Sequence, residues 1–95
     1  MSAEALRIPQ RMRPRRLLKR IVVSPHNVRF RDLLALAEAL GFRVARTEGS
    51  HHILTHPGLP ELLNLQEVKG QAKPYQVRQL LQLVERYDLR VEDDE

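Results

Sequence analysis

The absence of cysteine is the feature that most limits how this chain can fold, because 95 residues must then be held together by one small hydrophobic core. Without cysteine there is no disulfide framework, no thiolate metal site and no thiol nucleophile. No apolar run approaches the roughly 20 residues that a membrane-spanning helix needs, and the N-terminus lacks the continuous apolar stretch of a secretory signal. We therefore expect one compact, soluble domain in the cytoplasm.

The net charge of +4 is distributed unevenly along the chain. Residues 1–20 contain seven Lys or Arg residues and a single acidic residue, whereas residues 90–95 are mostly acidic. The sequence predicts a basic, disordered N-terminal tail over 1–20, a folded domain over 21–89 and an acidic C-terminal tail over 90–95. A basic tail of this kind either stays solvated or binds nucleic acid by releasing counterions from the phosphates.

Two segments have the apolar spacing of amphipathic helices. From Phe30 onwards, apolar residues recur at i, i+3, i+4 and i+7, and Gly41 follows as a C-terminal cap. Pro74 suits the first turn of a second helix, and the apolar stripe behind it predicts that this helix continues to Tyr87. Residues 19–24 contain three consecutive β-branched residues and are predicted to be a short extended segment.

Between these helices, three short segments are predicted to be strands. Residues 43–47 alternate weakly, a Gly-Ser turn follows, and residues 51–56 form the second arm of a hairpin. Residues 61–66 alternate as a third strand, and residues 69–73 are a polar link. The predicted architecture is α+β, a two-layer α-β-β-β-α fold. Its three-stranded antiparallel sheet has both helices on one face and leaves the other face available for a ligand.

The segment from Gly49 to Pro57, GSHHILTHP, is the strongest candidate for a functional site because it contains three of the four histidines. Histidine titrates near neutral pH, so an exposed imidazole at the start of a strand can take or give a proton. The simpler interpretation is that His51 and His52 are surface residues and that His56 is a turn residue. Zinc binding is disfavoured, since neighbouring histidines on a strand point to opposite faces.

These motifs give the chain a resemblance to a known family. The first helix ends in the Leu-Gly-Phe of residues 40–42, residues 46–57 read RTEGSHHILTHP, and the closing helix carries Val77 and Leu80. In these features residues 27–89 resemble the HicA toxins of bacterial type II toxin-antitoxin systems. The resemblance implies a double-stranded-RNA-binding-like fold and cleavage of messenger RNA by one histidine, without a metal ion or other cofactor. It also implies a HicB-like antitoxin that holds the activity in check.

The resemblance assigns the catalytic role to the histidine that directly follows the Gly-Ser pair, His51, with His52 as the alternative. Strand alternation does not decide between them. Each face of the strand would carry one of the two histidines and one aliphatic residue, Ile53 or Leu54, so either face could be the exposed one.

RNA carries its own nucleophile, the 2′-hydroxyl, so the protein has to move protons and stabilise negative charge on the phosphate. The residues predicted to contact RNA in this way are Arg46, Gly49, Ser50, Lys69 and Lys73. In contrast to many HicA proteins, the link before the last helix has no histidine. Two alternatives stay open: a non-catalytic RNA-binding module of the same fold, and an inactive toxin relative that acts through an antitoxin partner. We expect a monomer in the absence of the antitoxin, and no membrane contact.

Overall fold

A computed structural model describes residues 12–91 of the chain. The predictions for residues 1–11 and 92–95 lie outside these described residues. The helices and strands that it describes confirm the α+β class. In chain order they are α1 (Pro14–Val23), α2 (Phe30–Ala39), β1 (Arg43–Glu48), β2 (His51–His56), β3 (Leu59–Val68), β4 (Gln71–Ala72) and α3 (Pro74–Tyr87). None of the described helices has the length and apolarity that crossing a bilayer requires.

The sheet has four antiparallel strands among the described residues, and each pairs with the next along the chain. The prediction of a three-stranded sheet is therefore wrong, because β4 adds a fourth strand. Lys69 and Gly70 adopt positive φ angles of 51° and 77°, and this turn brings β4 back beside the end of β3. Arg29 adds an isolated bridge to Gln71 on the outer side of β4. A strand of two residues is too short to show an alternation, which is why the sequence pattern of residues 69–73 indicates only a polar link.

The helices cover one face of β2 and β3, whereas every residue of β1 is exposed. Leu54 of β2 and Leu63 and Leu65 of β3 are buried in the same apolar cluster as residues of α2 and α3. Their chain neighbours Thr55 and Asn64 are exposed, as the period of two along a strand requires. We call the side of the sheet opposite the helices the open face. The helices thus leave one face of the sheet uncovered, as the sequence predicts.

The described structure contradicts two predictions for the N-terminal region. Residues 14–20 are not a disordered tail and residues 19–24 are not an extended segment, because both fall largely within α1. Pro14 begins this helix at a position where a missing N–H costs nothing. Leu17 and Ile21, one turn apart, are buried in the core. With α1 and β4 included, the order of the described elements is α-α-β-β-β-β-α instead of α-β-β-β-α.

A polar contact fastens the end of α3 to β3. The Tyr87 hydroxyl donates to the Glu61 carboxylate at 2.7 Å, and Arg86 forms an ion pair with the same carboxylate at 3.1 Å. The hydrogen bond from Tyr87 holds the pKa of Glu61 below its ordinary value of 4.5, and it raises the pKa of Tyr87 above 10.0. Asp88 then ends the helix in the left-handed region at φ 52°.

Candidate functional site

The register of β2 places its two adjacent histidines on opposite faces of the sheet. His52 shares its face with the buried Leu54, so its ring points towards the helices. His51 lies on the open face, where Glu48 of β1 and Gln66 of β3 are its cross-strand neighbours. The position of the helices therefore answers the question that strand alternation leaves open, namely which of the two histidines is on the exposed face.

The His51 ring is oriented by Asn64. Its Nδ1 lies 3.2 Å from Asn64 Oδ1. An amide oxygen only accepts hydrogen bonds, so Nδ1 carries the hydrogen and Nε2 presents its lone pair. No described residue forms a hydrogen bond with Nε2. An imidazole held in this tautomer at a half-buried position can accept a proton from a molecule bound on the open face.

His52 is used in packing. Its ring lies against Phe30 at the start of α2, with a centroid distance of 4.8 Å and an interplanar angle of 50°. Its Nδ1 is buried and has no hydrogen-bond partner among the described residues. A ring that lies between the sheet and α2 is poorly placed to meet a polymer on the open face.

His56 has both ring nitrogens occupied. Nδ1 accepts a hydrogen bond from the Gly58 N–H at 2.9 Å, so Nε2 carries the hydrogen and donates to the Leu40 carbonyl at 3.0 Å. The ring fits closely over Gly41, where a Cβ atom would lie 2.6 Å from Nε2. His56 is the last residue of β2 and not a turn residue as predicted, and its ring joins the β2–β3 turn to the end of α2.

Three of the predicted RNA contacts lie in the β1–β2 hairpin with His51. Arg46 is on the open face and forms an exposed ion pair with Glu48 at 2.9 Å. Gly49 makes the turn with φ +60° and has open space around it. The Ser50 hydroxyl accepts a hydrogen bond from the Gln66 side chain at 3.4 Å. The structure thus brings Arg46, Gly49 and Ser50 next to His51.

The other two predicted contacts are outside the hairpin. Lys69 is exposed in the turn that follows β3, and Lys73 caps the start of α3 with its ammonium 5.9 Å from the Tyr75 ring centroid. Both follow the end of β3 that pairs with His51, but neither forms a hydrogen bond or an ion pair with the hairpin. Among the described residues, no three His, Asp or Glu side chains gather as a potential metal site.

Two residues that the sequence analysis did not select support this site. Asn64 orients His51, as described above. Gln76 of α3 is buried, and its side-chain amide accepts a hydrogen bond from the Gln66 N–H at 2.9 Å and donates one to the Asn64 carbonyl at 3.0 Å. These two backbone groups lie on the edge of β3 beyond the reach of β4, which pairs only with residues 67 and 68. Gln76 thereby fixes the strand that carries Asn64.

The signals for these residues in the sequence are weak. Asn64 is a polar residue between two leucines on a predicted strand, and this marks its face but not its partner on another strand. Gln76 lies in the first turn of a helix that contains other glutamines, so only its burial distinguishes it.

Comparison with protein-family models identifies the family of the sheet and its two flanking helices. A family model described as the HicA toxin of bacterial toxin-antitoxin systems matches residues 30–85, which is more than half of the chain. The matched region begins at α2 and ends within α3, so it contains the whole described sheet and excludes α1. No curated protein and no solved structure matches the chain.

Proposed function

Because the chain belongs to the HicA toxin family of bacterial toxin-antitoxin systems, we propose that it is an endoribonuclease that cleaves messenger RNA with His51 as general acid/base and without a metal ion. The observation that carries this proposal is the hydrogen bond between His51 and Asn64. It gives a proton acceptor of defined tautomer on the side of the sheet that the helices leave open. His52 and His56 are both engaged in packing or hydrogen bonds with the helical layer.

The proposed reaction starts when His51 Nε2 accepts the proton of a ribose 2′-hydroxyl. The 2′-oxygen attacks the adjacent phosphorus, the bond from phosphorus to the 5′-oxygen breaks, and the imidazolium returns its proton to the departing 5′-oxygen. The products are a 2′,3′-cyclic phosphate and a 5′-hydroxyl. Asn64 keeps its hydrogen bond to Nδ1 throughout, since Nδ1 carries a hydrogen in both protonation states. A single general acid/base of this kind contributes about 10²- to 10⁴-fold in rate.

Negative charge on the reacting phosphate needs donors nearby, and the hairpin offers them. We assign this role to Arg46 and to the backbone N–H groups of Gly49 and Ser50, with Lys69 and Lys73 binding flanking phosphates. Both side chains of the Arg46–Glu48 ion pair are exposed, and exposed ion pairs stabilise a protein by only about 0–1 kcal/mol. A phosphate can therefore compete with Glu48 for the guanidinium.

We further propose that a HicB-like antitoxin blocks the open face, that the chain is monomeric without it, and that both act in the cytoplasm. The second candidate function is RNA binding without cleavage. It is favoured by the observation that, in the described part of the chain, His51 is the sole histidine on the open face. A second imidazole that could share the acid and base roles is therefore missing from this face.

The test is cleavage of RNA in EDTA by the wild type, His51→Ala and the matched variant His52→Ala, with circular dichroism to confirm that each is folded. We expect His51→Ala to lose about 10²-fold or more of the rate, and His52→Ala to retain cleavage. The fragments should carry 2′,3′-cyclic phosphate ends. Folded, antitoxin-free wild type that binds RNA without producing fragments would establish the binding module instead.

A further inference from the structure

The exposed face of α1 carries four cations and no acidic residue. Arg15, Arg16, Lys19 and Arg20 are all exposed, and they follow each other around one side of the helix. Leu17 and Ile21 occupy the opposite side and are buried in the core. The cationic face is therefore held on a helix that is fixed to the domain.

The charges on this face oppose the stability of the helix that carries them. Arg15 and Lys19 are four residues apart, as are Arg16 and Arg20, and like charges at this spacing cost about 0.2–0.5 kcal/mol per pair. Arg15 and Arg16 in the first turn also oppose the helix dipole, which favours acidic residues there, whereas Arg20 in the last turn is favourably placed. No described carboxylate lies within ion-pair distance of these four side chains. The repulsion is thus not relieved within residues 12–91.

The apolar side of α1 is buried in the core, and this disfavours partners that bind through the apolar face of a helix. An amphipathic basic helix binds a membrane surface or a protein groove through its apolar face. In α1 that face packs into the core, so the helix offers charge rather than an apolar anchor to a partner. A cavity of about 190 Å³ lies beside the C-terminal end of α1, and its polar lining consists of Arg20, Ser24, His26, Asn27 and Asp32. Because the Asp32 carboxylate would repel a phosphate, the phosphate contacts are assigned to the exposed face of α1 and not to this cavity.

We propose that the exposed face of α1 binds the sugar-phosphate backbone of RNA without regard to sequence. The inference rests on the proposed function for the identity of the polyanion, and it adds a contact surface on an element that the family match does not include. Each phosphate that α1 neutralises releases condensed counterions, and this release supplies the affinity. The face then serves to retain RNA on the protein, while His51 on the open face performs the chemistry.

The experiment measures binding of a fluorescently labelled, fully 2′-O-methylated single-stranded RNA to the full chain over a series of KCl concentrations. This RNA keeps its phosphates but lacks the nucleophile, so the result does not depend on cleavage. The variants are Arg16→Gln/Lys19→Gln and, as a control with the same change in net charge, Arg78→Gln/Arg90→Gln. All four residues are exposed, and circular dichroism checks that the helices remain.

We expect the α1 variant to reduce the slope of log K against log salt by about 1.4, since each phosphate contact on a single strand contributes about 0.7. The reduction in slope should be the same for two RNAs of unrelated sequence, and the control should retain the wild-type slope.

An unchanged slope in the α1 variant, or an equal reduction in the control, would overturn the inference. Unaltered RNA binding combined with loss of a co-purified antitoxin would overturn it as well, because the face would then bind protein. If 2′-O-methyl RNA binds as expected but unmodified RNA is not cleaved, the proposed function fails while this inference stands.

Discussion

At the scale of single residues, the contact between Asn64 and His51 makes a specific prediction for catalysis. Asn64→Ala removes the acceptor that holds the Nδ1 hydrogen, so the ring can rotate and can exchange tautomers. We expect kcat to fall on the order of tenfold, a loss of the size seen when the hydrogen-bond partner of a metal-ligating histidine is removed, while unmodified RNA still binds. The measurement is kcat and KM for RNA cleavage as a function of pH.

Asn64→Asp tests whether Asn64 orients the His51 ring through its hydrogen bond or only packs against it. A carboxylate also accepts the Nδ1 hydrogen, so kcat should recover relative to Asn64→Ala. The negative charge favours the imidazolium, so the neutral form that acts as base should appear only at higher pH. The rising limb of the pH–rate profile is therefore expected to move upwards. A profile that is identical for Asn64→Ala, Asn64→Asp and the wild type would show that Asn64 does not position the catalytic group.

The residue scale is also where sequence reasoning reaches a clear limit. Alternation along β2 correctly separates His51 from His52, but it cannot show which of them is exposed. That depends on which face of the sheet α2 covers, and Phe30 on α2 is the residue that contacts His52. The partner of His51 is likewise set by the register between β2 and β3, which a single sequence does not display.

At the scale of elements, the link between α3 and β3 depends on one side chain. Gln76→Met keeps the length of the side chain but leaves the Gln66 N–H and the Asn64 carbonyl without partners. An unsatisfied buried group costs about 1–3 kcal/mol, and these two hydrogen bonds are only partly buried, so we expect the free energy of unfolding to fall by about 1–3 kcal/mol in total. Urea denaturation measures this loss, and Gln82→Met, at an exposed position of the same helix, is the control. Equal stabilities of the two variants would contradict the structural role of Gln76.

The sequence predicts some of the helices and strands and misses others. The stripe after Phe30 and the proline at the start of α3 predict both helices, because each pattern is long and has its own start or stop signal. β4 is missed because it is two residues long and exists only through its pairing with β3. α1 is missed because its last three residues are β-branched, which favours a strand, and because its first half is rich in cations, which is typical of a solvated tail. The burial of Leu17 and Ile21 in the core outweighs both signals.

At the scale of the whole molecule, one apolar cluster holds the described residues together, and the chain segments that build it extend further towards the N-terminus than predicted. The buried apolar side chains form one cluster that reaches from Leu17 in α1 to Leu83 in α3. A domain of this size buries a smaller fraction of its surface than a larger domain does, so each helix that adds apolar side chains matters. The helix that precedes the matched family region is therefore part of the folded unit.

This conclusion predicts unequal effects for two substitutions in α1. Ile21 is 2 % exposed and Val23 is 83 % exposed, although they are two residues apart on the same helix. Ile21→Ala should lower the free energy of unfolding by about 2–5 kcal/mol, as for other truncations of buried aliphatic side chains, whereas Val23→Ala should change it by less than about 0.5 kcal/mol.

Urea denaturation monitored by far-ultraviolet circular dichroism also shows whether α1 unfolds together with the rest of the domain or separately from it. A single transition that shifts to lower urea with Ile21→Ala means that α1 unfolds with the domain. An unchanged main transition would mean that α1 unfolds separately, and its cationic face would then not be rigidly attached to the sheet and its other helices.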